Sequence, residues 1–289
     1  GQKTGVFPDG RRIREYDLPE RKMDIEDPST GQVHRIILDY RAGGASITTL
    51  ASGPGGKVYG STCHPMHFFV FDTVRQQLTD LGPHKEIRGG NICSMDVQGH
   101  NLVCPAYSKG WFYLYDTTKP WNGGFVEPTN PRLLAQYPVE IARPRAALAH
   151  PDGRHVTMAG YAGYGICGGG LAIHDLETGK NELIEHEQLV PNQSVITLKA
   201  LPDGNLVGGS TIEARGGGHA TEKEGQLVLI DWASRKVVFQ IAPVPGAEGI
   251  VSLEVGSDGL VYGVTSPNPE IFVFDPATRR VVHRVSLAA

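Results

Sequence analysis

Two histidines and two arginines lie in short segments whose residue types could bind an anion and move protons. His64 and His67 flank a Pro-Met dipeptide, and Arg143 and Arg145 bracket a proline. A guanidinium binds a carboxylate through two parallel hydrogen bonds. A histidine, or a tyrosine held beside a cation, transfers protons near neutral pH. These segments therefore predict a site for an anionic substrate.

Residues of similar chemistry occur in other segments that we expect to be loops. We assign catalysis to His64, His67, Tyr107 and Arg143, and substrate binding to Asn91, Arg145, Tyr164, Gln193 and His219. These residue types also have purely structural roles. Histidines in loops are often solvated, tyrosines can pack in the channel wall, and arginines can pair with carboxylates of the scaffold. The imidazoles at positions 64, 67 and 219 could instead ligate a metal, although the preferred interpretation needs no metal or organic cofactor.

These loops contain few carboxylates. An ordinary glycosidase needs two carboxyl groups, and a calcium site needs several oxygen ligands, mainly from Asp or Glu. The sequence therefore disfavours both kinds of site.

The composition indicates what kind of scaffold must position the loops. The chain has 289 residues, and 37 glycines and 20 prolines make up about a fifth of it, against a usual share of roughly 12%. Many turn-forming residues predict short strands rather than long helices. The net charge of −4, without a basic run, argues against a nucleic-acid binder. No window approaches the roughly 18 apolar residues of a membrane span.

A repeated unit is the strongest signal in the sequence. In each of six units an apolar run ends in an aspartate, and a glycine-containing turn precedes that run. The aspartates, 44 to 59 residues apart, are Asp27, Asp72, Asp116, Asp175, Asp231 and Asp275. Such repetition is typical of a β-propeller. We predict an all-β fold in which residues 1–289 form one β-propeller domain with six four-stranded blades, and the parent protein could have seven.

This architecture assigns roles to several sets of residues. The six aspartates accept backbone N–H groups in turns and have no chemical role. Alternating apolar residues fill the space between neighbouring sheets, for example Ile47, Leu50, Val58 and Tyr59. Loops at one rim carry function, so the candidate residues are expected to meet at the mouth of the central channel. Residues 168–170 indicate a close approach of backbone or a flexible loop, and residues 216–219 indicate a mobile flap.

The four cysteines are Cys63, Cys93, Cys104 and Cys167, and none of them forms a CxxC pair. A zinc ribbon or thioredoxin-type motif is therefore excluded. Cys93 and Cys104 could face each other across a hairpin, but buried free thiols are the favoured interpretation. We expect a monomer that has been processed, tagged or cut from a longer chain. It would be secreted or periplasmic if that longer chain carries a signal peptide.

Five segments resemble a group of bacterial and fungal β-propellers. They are YGSTCHPMHFFVFD (59–72), GGNIC (89–93), RPRAALAHPDG (143–153), NQSVITL (192–198) and GLVYGVTS (259–266). The group is close to lyases that cleave L-rhamnose linked α-1,4 to D-glucuronate, and to ulvan-degrading propellers. The resemblance implies a seven-bladed parent and a channel-mouth site that uses His, Tyr and Arg.

The resemblance implies a lyase that cleaves an anionic, uronate-linked oligosaccharide or polysaccharide by β-elimination. Arg143, Asn91 or Gln193 would stabilise the enediolate-like transition state, and a neutral His or deprotonated Tyr would remove the C5 proton. Two alternatives remain open. One is a non-catalytic propeller that binds a partner, and the other is a glycoside hydrolase or metal-dependent lactonase on the same fold.

Overall fold

The computed structural model describes residues 5–17, 20–39 and 45–287. Their strands form five hydrogen-bonded antiparallel sheets, and the eight-stranded one consists of two four-stranded meanders joined by the pair Thr211–Gly249. These two meanders are described below as the fifth and sixth sheets, which gives six successive units. The first sheet has three strands, β1 (Arg12–Asp17), β2 (Lys22–Glu26) and β3 (Val33–Ile37). The second has β4 (Ser46–Gly53), β5 (Lys57–Cys63), β6 (Phe68–Asp72) and β7 (Gln77–Gly82), with a 3₁₀ turn at Pro54–Gly56. The third has β8 (Asn91–Ile92), β9 (Asp96–Gln98), β10 (Asn101–Tyr107), β11 (Trp111–Asp116) and β12 (Arg132–Gln136).

The remaining three sheets repeat the same order. The fourth has β13 (Arg143–Ala149), β14 (His155–Tyr161), β15 (Leu171–Asp175) and β16 (Asn181–Ile184), followed by the helix α1 (His186–Leu189). The fifth has β17 (Ser194–Ala200), β18 (Leu206–Thr211), β19 (Leu227–Asp231) and β20 (Lys236–Ile241). The sixth has β21 (Gly249–Val255), β22 (Val261–Ser266), β23 (Glu270–Asp275) and β24 (Arg280–Ser286). No helix in the described ranges is long and apolar enough to cross a membrane.

Each sheet is a meander whose strands pair with their neighbours in chain order. In the third sheet, β8 and β9 both pair with β10, so they act as one interrupted innermost strand. The first sheet shows three strands, and Val6 adds an isolated bridge to Arg12. The repeat predicts six successive four-stranded units. Six units are present, but the first has three strands within the described residues.

The core consists of apolar side chains between consecutive sheets. Four buried clusters join the second sheet to the third, the third to the fourth, the fourth to the fifth and the fifth to the sixth. Tyr59 is buried as predicted, but Ile47 and Leu50 are exposed. These two pair with Thr62 and Gly60 on the sheet face opposite Tyr59, and that face lies outside the four clusters. The prediction that they are core residues is therefore wrong.

The six repeated aspartates make the predicted turn contacts. For example, Asp72 accepts the N–H of Val74 at 3.0 Å, and Asp275 accepts that of Ala277 at 2.9 Å. Equivalent bonds are made by Asp27, Asp116, Asp175 and Asp231. Hydrogen bonds to the ionised form lower the pKa of each carboxyl group. These carboxylates therefore stabilise the turns that directly follow them in the chain.

All four cysteines are free thiols. Cys104 lies opposite Tyr113, whereas the N–H of Cys93 donates to Pro105, so the two sulfurs do not form the bond that a hairpin would allow. Burial raises the pKa of Cys93 to about 12 and raises that of Cys104. The predicted free thiols are observed, but Cys104 alone is buried among them, and Cys63, Cys93 and Cys167 are partly exposed.

Candidate functional site

Seven side chains meet where the fourth sheet faces its neighbours at one rim. They come from the C-terminal end of β10, the N-terminal end of β13, the C-terminal end of β14 and the two loops that follow β14 and β18. We call them the arginine–tyrosine cluster: Tyr107, Arg143, Arg145, Tyr161, Tyr164, Glu213 and Arg215. Antiparallel pairing places these strand ends and both loops on the same side of the ring. The topology therefore assembles residues that are up to 108 positions apart in the sequence.

Arg143 is the most enclosed of the three guanidiniums. Its Cζ lies 4.6 Å from the ring centre of Tyr164 and 5.7 Å from that of Tyr107. Its Nη1 donates to the carbonyl of Ala162 at 3.4 Å. These contacts hold the loop after β14 in place, so Arg143 positions the exposed Tyr164 ring.

Arg145 is exposed to solvent. Pro144 pairs with Gly160 and Ala146 with Ala159, which leaves Arg145 as the extra residue of a β-bulge. Bulges redirect side chains at sheet rims. The Arg145 Cζ lies 5.7 Å from the Tyr161 ring centre, and no carboxylate pairs with it among the residues that the structure describes.

Tyr161 and Glu213 form the polar centre of the cluster. The Tyr161 hydroxyl donates to Glu213 Oε2 at 2.8 Å. Arg215 Nη2 lies 3.0 Å from Glu213 Oε1, and its Cζ lies 5.1 Å from the Tyr161 ring centre. Burial is the largest cause of the raised pKa of Tyr161, and the nearby Glu213 carboxylate raises it further. Tyr161 is therefore a neutral hydrogen-bond donor.

The glycine-rich segments pack closely against the cluster. The N–H of Gly165 donates to Gly216 at 3.0 Å, and a β-carbon on Gly216 would lie 3.0 Å from Arg143 Nη1. The flap predicted for residues 216–219 is thus held to the neighbouring loop at its first residue. At Gly169 a β-carbon would overlap the carbonyl oxygen of Gly160, which confirms the close backbone approach predicted for residues 168–170.

The structure does not bring His64 and His67 into the cluster. His64 is exposed, and its side chain makes no hydrogen bond, ion pair or ring contact within the described ranges. His67 Nδ1 lies 2.8 Å from Asp80 Oδ2, and its Nε2 lies 3.5 Å from Glu20 Oε1. The loop places His67 next to these carboxylates, where it links the second sheet to the connection after β1. The predicted meeting of these imidazoles with Arg143 is therefore not observed.

The other predicted residues divide between the cluster and the scaffold. Asn91 pairs with Tyr107 in the sheet register, and its Nδ2 donates to the carbonyl of Ile92 at 3.0 Å. His219 is exposed and has no side-chain partner among the described residues. Gln193 is 4% exposed; its Oε1 accepts from Ser210 Oγ at 2.5 Å and its Nε2 donates to the Glu224 carbonyl at 3.0 Å. Because both ends of its amide are occupied and buried, the predicted substrate-binding role of Gln193 has no geometric basis.

We expect Gln193→Leu to reduce the free energy of unfolding by about 2 kcal/mol. The buried Ser210 hydroxyl loses the acceptor for its hydrogen, and the Glu224 carbonyl loses one of its two donors. Urea denaturation followed by tryptophan fluorescence measures the change. Gln188→Leu, at an exposed position in α1, serves as the matched control and should change stability little. Equal stability of the two variants would contradict this structural role.

A metal centre has no support from the geometry. Across residues 5–17, 20–39 and 45–287, no three His, Cys, Asp or Glu side chains are grouped closely enough to hold a metal ion. The alternative in which positions 64, 67 and 219 form a ligand set is therefore wrong.

Sequence reasoning missed Tyr161, Glu213 and Arg215. All three lie at the edges of loops that the repeat pattern identifies, and Glu213 and Arg215 form a Glu-x-Arg pair in the loop after β18. This pair of an acidic and a basic residue, two positions apart, was the signal in the sequence for a polar site in that loop. The expectation that this rim has few carboxylates therefore needs correction, since Glu213 lies at the centre of the cluster.

Comparison with known proteins identifies the fold. No protein-family model and no curated protein matches the sequence. A chain in the crystal structure of the mitotic checkpoint complex is similar over 92% of this chain and 74% of its own, with 11% identity and a TM-score of 0.61. The Cps50 (Swd1) β-propeller domain of Myceliophteria thermophila is similar over 96% of this chain and 86% of its own, with 13% identity and a TM-score of 0.55. The fold is a β-propeller.

At these identities the similarity concerns the propeller fold alone. The comparisons lend no support to a relationship with the uronate lyases. The function of the propeller therefore has to be argued from the arginine–tyrosine cluster.

Proposed function

We propose that this β-propeller is a binding module whose arginine–tyrosine cluster takes an acidic segment of a protein partner. The observation that carries the proposal is Arg145, an exposed guanidinium at the rim that has an aromatic ring beside it and no carboxylate partner in the described chain. Arg clusters recognise acidic and phosphorylated motifs in many binding domains. An arginine fixed over an aromatic ring loses less freedom when it binds a carboxylate.

The exposed aromatic ring of the cluster supports contact with a protein. Tyr164 is 76% exposed and is held by Arg143 on the loop after β14. Tyrosine and arginine are enriched among residues that dominate protein interfaces. The propellers of similar structure include a chain of a multiprotein complex, which agrees with a protein partner.

The geometry favours binding over β-elimination. Removal of the C5 proton of a uronate needs a base near the arginines that is deprotonated at neutral pH. Tyr161 has a raised pKa, the pKa of Cys93 is about 12, and the candidate imidazoles lie outside the cluster. The carboxylate of the cluster, Glu213, is engaged by the Tyr161 hydroxyl and by Arg215 Nη2. Arg145 and Tyr161 can therefore bind an anion while the remaining base of the cluster is held in hydrogen bonds.

We expect Arg145→Ala to weaken the binding of a short fluorescein-labelled peptide rich in Asp and Glu by about tenfold, the loss expected for one charge-assisted hydrogen bond. Fluorescence anisotropy at low salt measures the dissociation constant. Because the contact is electrostatic, added salt should weaken the wild type more than the variant.

Arg280→Ala is the matched control, since Arg280 is an exposed arginine at the start of the outermost strand of the sixth sheet. It removes the same charge away from the rim and should leave the affinity nearly unchanged. Equal losses of affinity in both variants would show that the peptide responds only to net charge, and this would contradict the proposal. An unsaturated product, detected by ultraviolet absorbance after incubation with glucuronate oligosaccharides, would favour the lyase instead.

A further inference from the structure

We infer that Glu213 occupies the position that a carboxylate of the partner takes in the complex. This inference rests on the proposed function and specifies its ligand chemistry. The cluster would thus be a carboxylate pocket that the protein's own glutamate fills in the absence of the partner.

The contacts of Glu213 are those that a carboxylate ligand would make. Glu213 Oε2 accepts from the Tyr161 hydroxyl at 2.8 Å and from Arg215 Nη2 at 3.1 Å, and Glu213 Oε1 lies 3.0 Å from the same Nη2. A hydroxyl donor and a planar guanidinium together suit the two oxygens of a carboxylate. Arg145 lies beside the same Tyr161 ring, at 5.7 Å, and Glu213 leaves it unpaired. An acidic partner therefore meets an unpaired arginine, Arg145, next to the position that Glu213 occupies.

Glu213 is also placed so that it can leave. It belongs to the loop between β18 and β19, and its side chain is 48% exposed, as is 41% of the Arg215 side chain. Exposed ion pairs contribute little net free energy. Tyr161 is only 4% exposed and belongs to β14, so the donor remains fixed while the acceptor changes.

The exchange involves no covalent step. Tyr161 keeps its proton, and its hydroxyl donates first to Glu213 and then to the incoming carboxylate. Glu213 moves into solvent as an ionised side chain. The partner therefore pays part of its binding energy to displace Glu213, and removal of that side chain should strengthen binding.

The first test is chemical rescue of Glu213→Ala by acetate, measured as the thermal unfolding midpoint. At an acetate concentration about ten times its dissociation constant we expect a rise of about 3 °C in the variant, relative to chloride at equal ionic strength. The wild type should show no such difference. Glu222→Ala is the control, because it removes the same charge from the same loop, where Glu222 accepts from Asn192 at 3.2 Å.

The second test is affinity for the acidic peptide. Glu213→Ala and Glu213→Gln should bind it about fivefold more tightly than the wild type, and Glu222→Ala should not. The glutamine variant keeps the size of the side chain, so it remains informative if the alanine variant folds poorly. Unchanged or weaker peptide binding by the glutamine variant would overturn the inference, as would the absence of an acetate effect in a folded alanine variant.

The two proposals fail in different ways. If acetate stabilises Glu213→Ala while no form of the protein binds the acidic peptide, the carboxylate pocket stands and the acidic protein partner is refuted. If the wild type binds the peptide through Arg145 and the Glu213 variants bind no better, the binding function stands and the displacement of Glu213 is refuted.

Discussion

Between about pH 6.5 and pH 4, the free energy of unfolding of this propeller is expected to fall by about 3 kcal/mol more than in a His84→Phe variant. His84 is 1% exposed, and its ring centre lies 4.6 Å from Tyr113 and 6.0 Å from Trp121. Its Nδ1 accepts the N–H of Glu86 at 3.2 Å. An imidazole that accepts a backbone N–H among aromatic rings is neutral, and burial lowers its pKa to about 4.

The direction of the pH effect follows from the two states of this histidine. In the unfolded chain His84 takes up a proton near its ordinary pKa of 6.5, whereas in the folded protein it does so only at about pH 4. Between these values the unfolded state binds more protons, so acidification favours unfolding. Above pH 6.5 the histidine is neutral in both states and its full contribution to stability is present.

Urea denaturation at several pH values across this window measures the effect, with tryptophan fluorescence as the signal. Burial also lowers the pKa of His174, so the His84→Phe variant should retain a smaller decline. The phenylalanine keeps an aromatic ring against Tyr113 and Trp121. Parallel pH profiles for the wild type and the variant would show that His84 does not titrate as a buried group.

The second large effect is expected for Gly169→Ala, which should lower the free energy of unfolding by about 3 kcal/mol. A β-carbon at this position would overlap the carbonyl oxygen of Gly160 and lie 3.2 Å from the backbone nitrogen of Ala162. Gly169 also forms a parallel bridge to Ser194. The Gly160 oxygen is part of a sheet, so it cannot move aside as a side chain can. An alanine methyl group would therefore push residue 169 away from β14 and disturb its bridge to Ser194 in the fifth sheet.

Gly89→Ala is the control for this substitution. Nothing lies within 4 Å of a β-carbon at Gly89, so alanine there should be neutral or slightly stabilising, because it reduces the entropy of the unfolded chain. Thermal and urea unfolding of both variants provide the comparison. A Gly169→Ala protein as stable as Gly89→Ala would mean that the two backbones do not approach each other as closely as the structure indicates.

The architecture was predictable because its signals are local. Asp72 and Asp275 each follow an apolar strand and accept the N–H groups of their own turns, so their role can be read from a few adjacent residues. Six such units imply strands and reversals of similar length. A sheet with two apolar faces must pack against another sheet, so the repeat also predicts the ring.

The membership of the candidate site was much less predictable. Gln193 and Arg145 both lie near the starts of innermost strands, yet Gln193 is buried between Ser210 and Glu224 while the bulge turns Arg145 toward solvent. Nothing in the neighbouring sequence distinguishes these two outcomes. They depend on which polar group the next sheet presents.

The histidines show the same limit. His64 and His67 lie in a loop of the expected kind, but Asp80 and Glu20 surround His67, and both come from other parts of the chain. The loop after β18 lies against β14, and it brings Glu213 to Tyr161, which is 52 positions away in the sequence.

The amino-acid sequence by itself determined the repeat, the turns and the all-β propeller, because hydrogen bonds within a few residues and the alternation of apolar side chains specify each unit. Only the tertiary structure decided which polar residues share the rim. Those contacts join different sheets, and their partners are set by packing distances and bulges that no local segment encodes. The arginine–tyrosine cluster is therefore a product of how the sheets are arranged around the ring.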